Sequence, residues 1–80
     1  MRYYFNLEDG KTVLDSIGTD FPDLKAAQAS ATKAATELLH NGSGVNIWDG
    51  HTWRLWATTE PDGKGAVLFS LRFSGTVEGG

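Results

Sequence analysis

The chain contains no cysteine. No disulfide can staple it, and no thiolate is available as a nucleophile or metal ligand. That lack suits a reducing compartment, so the expected location is the cytoplasm. The opening Met-Arg-Tyr-Tyr-Phe-Asn has no apolar segment followed by a small-residue cleavage site, so a secretory signal is not expected. No apolar run approaches the roughly 20 residues of a membrane span, and no membrane association is expected. Histidine occurs at His40 and His51, and no serine sits in a nucleophile-elbow pattern. Positive charge is in deficit: Lys and Arg total 7 against 10 Asp and Glu, a formal net charge of −3. Bulk charge therefore argues against a protein that coats nucleic acid. At 80 residues the chain is expected to make one domain with a small core and a thin stability margin.

What is present is a single helical segment between strand-like patterns. Arg2 to Glu8 alternates, with Tyr3, Phe5 and Leu7 on one side and Arg2, Tyr4 and Asn6 on the other. Asp9-Gly10 is a strong hairpin signal, because the favoured two-residue turn needs positive φ at both positions. A two-residue turn pairs Glu8 with Lys11, Leu7 with Thr12 and Phe5 with Leu14, so a return strand over Lys11 to Asp15 brings Leu14 to the buried side. Ser16 to Phe21 reads as a loop. A helix follows from Pro22 or Asp23, with proline in the first turn and the aspartate at the positive end of the helix dipole. Leu24, Ala27, Ala31, Ala34/Ala35 and Leu38 form its apolar stripe. Asn41-Gly42 is the stop signal.

Beyond the helix, Gly42 to Gly50 is a glycine-rich loop whose Val45, Ile47 and Trp48 are expected to tuck against the core edge. A third strand runs over His51 to Thr58, with Trp53, Leu55 and Ala57 on one face and Thr52, Arg54 and Trp56 on the other. Glu60-Pro61-Asp62-Gly63 is a turn in which proline presets the first central φ. A fourth strand over Gly65 to Phe73 turns Val67, Phe69, Leu71 and Phe73 one way and Leu68, Ser70 and Arg72 the other. The reading is an α+β fold, ββαββ, with a four-stranded antiparallel sheet and one helix packed on one face. Residues 1–74 form the domain and 75–80 a flexible tail. The expected core is Tyr3, Phe5, Leu7, Leu14, Leu24, Ala27, Ala31, Ala35, Leu38, Trp53, Leu55, Val67, Phe69, Leu71 and Phe73. Strand order stays open.

The opening Arg-Tyr-Tyr-Phe-Asn-Leu-Glu-Asp-Gly, the Asp15-x-x-Gly18 element, Phe-Pro-Asp-Leu-Lys-Ala-Ala-Gln-Ala and the late Trp-Arg-Leu-Trp…Asp-Gly…Val-Leu-Phe-Ser-Leu-Arg-Phe together resemble a family of small bacterial proteins classed as a domain of unknown function. The resemblance covers roughly residues 2 to 74. It implies one ββαββ domain and brings no catalytic residues. Members of that family often carry a more charged loop after the helix than the glycine-rich, aromatic Asn41 to Asp49 of this chain.

The three arginines, Arg2, Arg54 and Arg72, all fall on strand positions opposite the apolar set, together with Tyr4 and Trp56. A net-negative chain is thereby expected to present a positive, aromatic-studded sheet face as its candidate binding surface. Guanidinium groups beside aromatic rings suit carboxylate, phosphate or single-stranded base contacts. They also serve as anchors in protein interfaces. The plain alternative is a solvated face of the kind antiparallel sheets commonly have, with Arg54 or Arg72 lying over Trp56. Protein association or self-association through this face is favoured over an anionic ligand or single-stranded nucleic acid. The chain lacks the aromatic signature of the common RNA-binding sheet module.

Other constellations carry less. His40 sits where a cation favours a helix C-terminus, and Asp49 with His51 reads as a turn entering a strand. No three groups converge as catalysis requires, so no enzyme activity and no cofactor are expected. Asp15, Asp20 and Asp23 lack the ligand rhythm of a calcium loop, so no metal is expected. Gly42-Ser43-Gly44 follows the helix C-terminus, the wrong polarity for phosphate. Of the tryptophans at 48, 53 and 56, only Trp56 is expected on the open face, too few for a sugar platform.

Overall fold

A computed structural model describes residues 1–41, 48 and 50–78. Elements run β1 (Arg2–Glu8), β2 (Thr12–Val13), β3 (Thr19–Asp20), α1 (Leu24–Asn41), β4 (Trp53–Thr58) and β5 (Val67–Phe73). The class is α+β, with one helix and an open antiparallel sheet among the described residues. The sheet has five strands rather than four. The hydrogen-bonded order is β2-β1-β4-β5, and β3 also pairs with β1. Glycine 42 and residues 43–47 and 49, which carry the expected helix stop, phosphate-loop likeness and most of the glycine-rich loop, lie outside the described residues.

The additional strand comes from an interruption. β2 pairs with the end of β1 (Leu7 with Val13, Glu8 with Thr12), and β3 pairs with its beginning (Arg2 with Asp20, Tyr3 with Thr19). The chain between them leaves the ladder, so β2 and β3 are two ends of one broken edge strand. The hairpin register also differs from the two-residue expectation. Asp9 keeps its φ negative, since Asp62 is the one non-glycine with positive φ among the described residues. Its Oδ1 accepts from the Lys11 N–H at 3.2 Å, and this side-chain turn draws Lys11 into the loop. The slip of one residue turns Leu14 away from the core, and it is exposed.

Asp23 caps α1, its Oδ1 accepting from the Ala26 N–H at 2.8 Å. Ala27, Ala31 and Ala35 are buried against the sheet. These small side chains let the helix approach closely, and aromatics fill the layer. Tyr3, Ala27 and Ala57 form the centre, with Phe5, Phe21, Leu68 and Phe69 packed around it. Phe21, read from the sequence as a loop residue, lies edge-on to Tyr3 and tilted on Phe5, at 5.8 and 5.7 Å between centroids. It packs against the Tyr3–Ala27–Ala57 centre, and Leu24, expected in the core, is exposed.

A bulge changes the faces of β5. β4 and β5 pair regularly from Trp53–Phe73 to Ala57–Phe69, and then Thr58 pairs with Val67. Leu68 is the extra residue. It joins the core beneath α1, and Val67, expected in the core, is exposed. The turn between β4 and β5 is centred on Asp62-Gly63, both at positive φ, with Lys64 N–H donating to Pro61 O at 3.2 Å. Pro61 thus precedes the central pair instead of occupying its first position.

Candidate functional site

The sheet face opposite α1 has two ends of different character. At the Tyr4–Thr58 end it is covered. Asn6 and Thr58 are completely buried there. Asn6 Nδ2 donates to Tyr4 O, Trp56 O and Thr58 Oγ1, and its Oδ1 accepts from the Asp15 N–H at 3.0 Å. Asp15 O accepts from the Asp62 N–H at 2.9 Å. The interrupted edge strand and the β4–β5 turn therefore close over this end. The sequence expectation of a bare face is corrected here, because a buried amide and an arched loop occupy part of it.

The Asp15 carboxylate holds the arch. Its Oδ2 accepts from the Phe5 N–H, and its Oδ1 from the N–H groups of Ile17 and Gly18. Burial raises its pKa, but the hydrogen bonds from Gly18, Ile17 and Phe5, aided by the charge of Arg2, outweigh it and hold the group below the ordinary value. Gly18 has φ +77°, and a Cβ there would fall 2.7 Å from both Arg2 Cγ and Tyr4 Cε2. The Asp15-x-x-Gly18 motif is thus a folding device: an acceptor for three N–H groups, then a residue that must lack a side chain.

The five candidate residues divide between the two ends. Arg2 donates to Ile17 O at 2.7 Å and pairs with Asp20 at 3.1 Å, so it closes the arch. Tyr4 is half-buried, its ring against Gly18. Arg54 and Arg72 are direct cross-strand partners at the other end. Glu8, the partner of Arg54, lies six residue steps along β1 from Arg2. At strand rise this is roughly 20 Å, too far for one small ligand. Trp56 is only 8% exposed, which corrects its expected exposure. The Arg54 guanidinium lies 4.5 Å from the Trp56 ring centroid and donates through Nη2 to Ser70 Oγ at 3.1 Å. Arg54 Nε is buried and makes no hydrogen bond among the described residues. The one ion pair among the described residues is Arg2–Asp20, so Arg72 and Arg54 carry charge that Glu8, opposite Arg54, does not neutralise by contact.

A second feature, which the sequence reading missed, lies at the other edge of the sheet. β5 pairs with β4 on one side, and no described strand flanks it on the other. Between β5 and α1 a cleft of about 240 Å³ opens, lined by Gln28, Ala31, Thr32, Phe69, Ser70 and Leu71. Thr32 Oγ1 donates to Gln28 O, and Thr36 Oγ1 to Thr32 O. Those hydroxyls are satisfied within the helix, so the helical wall is apolar or neutral. Trp48, 65% exposed, lies against Gly75 just beyond β5. Alternation marked the residues, but strand order decides which of them lie on an edge.

Among the described residues no group of three or more His, Cys, Asp or Glu side chains is placed to hold a metal ion. Among them, too, no helix is long and apolar enough to cross a membrane. No curated protein and no solved structure matches the chain. A family model described as a domain of unknown function, DUF6894, matches residues 2–74. That match spans both the Asp15-x-x-Gly18 arch and the β5 edge, and the chain belongs to the DUF6894 family.

Proposed function

We propose that the protein is a small cytoplasmic, non-catalytic association module that takes an extended segment of a protein partner onto the open edge of β5. The observation that carries this reading is the edge itself. β5 is seven residues long. It has no proline and a single charge, and its bulge sits at the Val67–Leu68 end, leaving Phe69–Phe73 regular. Edge strands usually carry charges, prolines or bulges that discourage pairing. Here the outward backbone groups, which no described strand pairs, border a cleft, and half-buried Phe69, Leu71 and Phe73 offer the apolar surface an added strand covers. Exposed Trp48 is the kind of side chain that anchors such contacts.

Amide-shift mapping with a short strand-forming peptide tests this. Perturbations at Phe69–Phe73 and along Gln28 and Thr32 are expected. Perturbations confined to the Asp9–Val13 hairpin would end the reading.

A second reading rests on the adjacency of Arg54 and Arg72, which suits an anionic ligand. Trp56 lies beneath Arg54, so a stacked base finds no free tryptophan face there. Binding of an oligonucleotide that collapses between 50 and 200 mM salt would support this reading, and flat salt dependence would remove it.

A further inference from the structure

The face of β5 away from α1 is not neutral. Arg72 is exposed and stands directly opposite Arg54, and Ser70 already accepts from Arg54. Two like charges on adjacent strands repel unless something screens them. On the other face Phe69 and Leu71 meet Ala31 and the neutral Gln28 and Thr32 across the cleft. A strand added at about 4.8 Å from β5 would turn its alternate side chains to these two surfaces. Resting on the strand-addition reading above, we infer that the partner of β5 is an extended segment alternating apolar with acidic residues. Its apolar side chains fill the cleft beneath α1. Its carboxylates lie beside Arg72 and, one strand further in, Arg54.

The same charges count against a second copy of this chain as the occupant. Antiparallel pairing of two β5 strands brings Arg54 and Arg72 together with their duplicates on one face. No described acidic residue of β5 answers them, because the strand reads Val-Leu-Phe-Ser-Leu-Arg-Phe.

Three dye-labelled peptides test the inference, each with Val-Phe-Val at alternate positions and Glu, Gln or Lys at all the others. Fluorescence anisotropy gives affinities, and amide shifts locate the site. The glutamate peptide is expected to bind at Phe69–Phe73 roughly fivefold or more tighter than the glutamine peptide, with the lysine peptide weakest. The gap should shrink in 0.5 M salt. Arg72→Glu, at an exposed position, should reverse the order of the glutamate and lysine peptides. Equal binding of all three at β5 overturns the acidic preference and leaves strand addition standing. Absence of any β5 perturbation with all three overturns both. Sedimentation of the chain alone as a dimer, with β5 amides protected, overturns the acidic partner in favour of a second copy.

Discussion

The Asp15 carboxylate accepts a hydrogen bond from the Phe5 N–H at 3.1 Å, on the side of β1 away from β4, where neither β2 nor β3 pairs. One side chain thus replaces a strand carbonyl at the point where β2 has ended and β3 has not begun. An edge N–H left bare beside a core residue would lose this pairing. The same carboxylate turns the chain through Ile17 and Gly18, so repairing the ladder and forming the arch are one event.

Acid should therefore loosen the arch. The Asp15 pKa is held below the ordinary value, so the unfolded chain takes up the proton first as pH falls. The stabilisation is complete above about pH 4, the range of an unperturbed aspartate, and is lost as pH falls through the folded value. Asp15→Asn keeps one acceptor and loses the charge. It should cost about 1–3 kcal/mol at pH 7. Urea midpoints measured from pH 6 to 2.5 should converge for wild type and variant at the acid end. Parallel curves would show that Asp15 contributes no pH dependence.

Gly18→Ala should be destabilising although it adds only a methyl group. The backbone there lies in the left-handed region, and the new Cβ meets the middle of Arg2 and an edge of the Tyr4 ring. Conformational strain and displacement together should cost about 1–3 kcal/mol. Gly10→Ala is the control, since nothing lies within 4 Å of a Cβ there. It should cost only the backbone term, about 1 kcal/mol. Equal losses at the two glycines would show that close approach at Gly18 adds nothing.

Asn6 should tolerate neither an apolar nor a charged replacement. Its amide serves Tyr4 O, Trp56 O, Thr58 Oγ1 and the Asp15 N–H at a site without solvent. Asn6→Leu leaves the Asp15 N–H without its acceptor and removes the amide's bonds to the β1–β4 carbonyls and Thr58, and Asn6→Asp removes the donors and buries a charge. Each should lower stability by about 2–4 kcal/mol. The aspartate variant should recover part of its loss on acidification, because protonation restores one donor. Thermal unfolding at pH 7 and pH 4 checks both.

The elements differ in how far local pattern determines them. The helix was legible because the Asp23 cap and the stripe from Ala27 to Ala35 are local and periodic. The apolar faces of β1 and β4 were legible because alternation survives wherever pairing is regular. Where one residue was inserted, the reading inverted: the Lys11 slip exposed Leu14, and the Leu68 bulge exchanged the roles of Val67 and Leu68. Asn6 reads as a polar outward position, and it is buried by two distant segments, the returning Asp15 loop and the β4–β5 turn. The β5 edge was invisible for a different reason, since which strand lies outermost is a property of the whole sheet. Sequence order alone does not place β1 beside β4.

Trp56 and Arg54 separate a buried structural residue from a surface group that lies on it. If Trp56 were an exposed anchor, Trp56→Ala would leave stability nearly unchanged. At 8% exposure it is a packing residue instead, and truncation should cost about 3–5 kcal/mol. That is a large share of the roughly 4–12 kcal/mol available to a domain of this size. Arg54→Ala loses a cation–π contact and the bond to Ser70, and it relieves both the repulsion from Arg72 and the buried Nε. Those effects oppose each other, so the net change should stay within about 1 kcal/mol. Indole emission should shift to longer wavelength in folded Arg54→Ala, because the guanidinium over Trp56 is replaced by water. Urea unfolding followed by far-UV circular dichroism gives the two stabilities without relying on the indoles. A large loss for Arg54→Ala with a small one for Trp56→Ala would reverse the roles assigned to the pair.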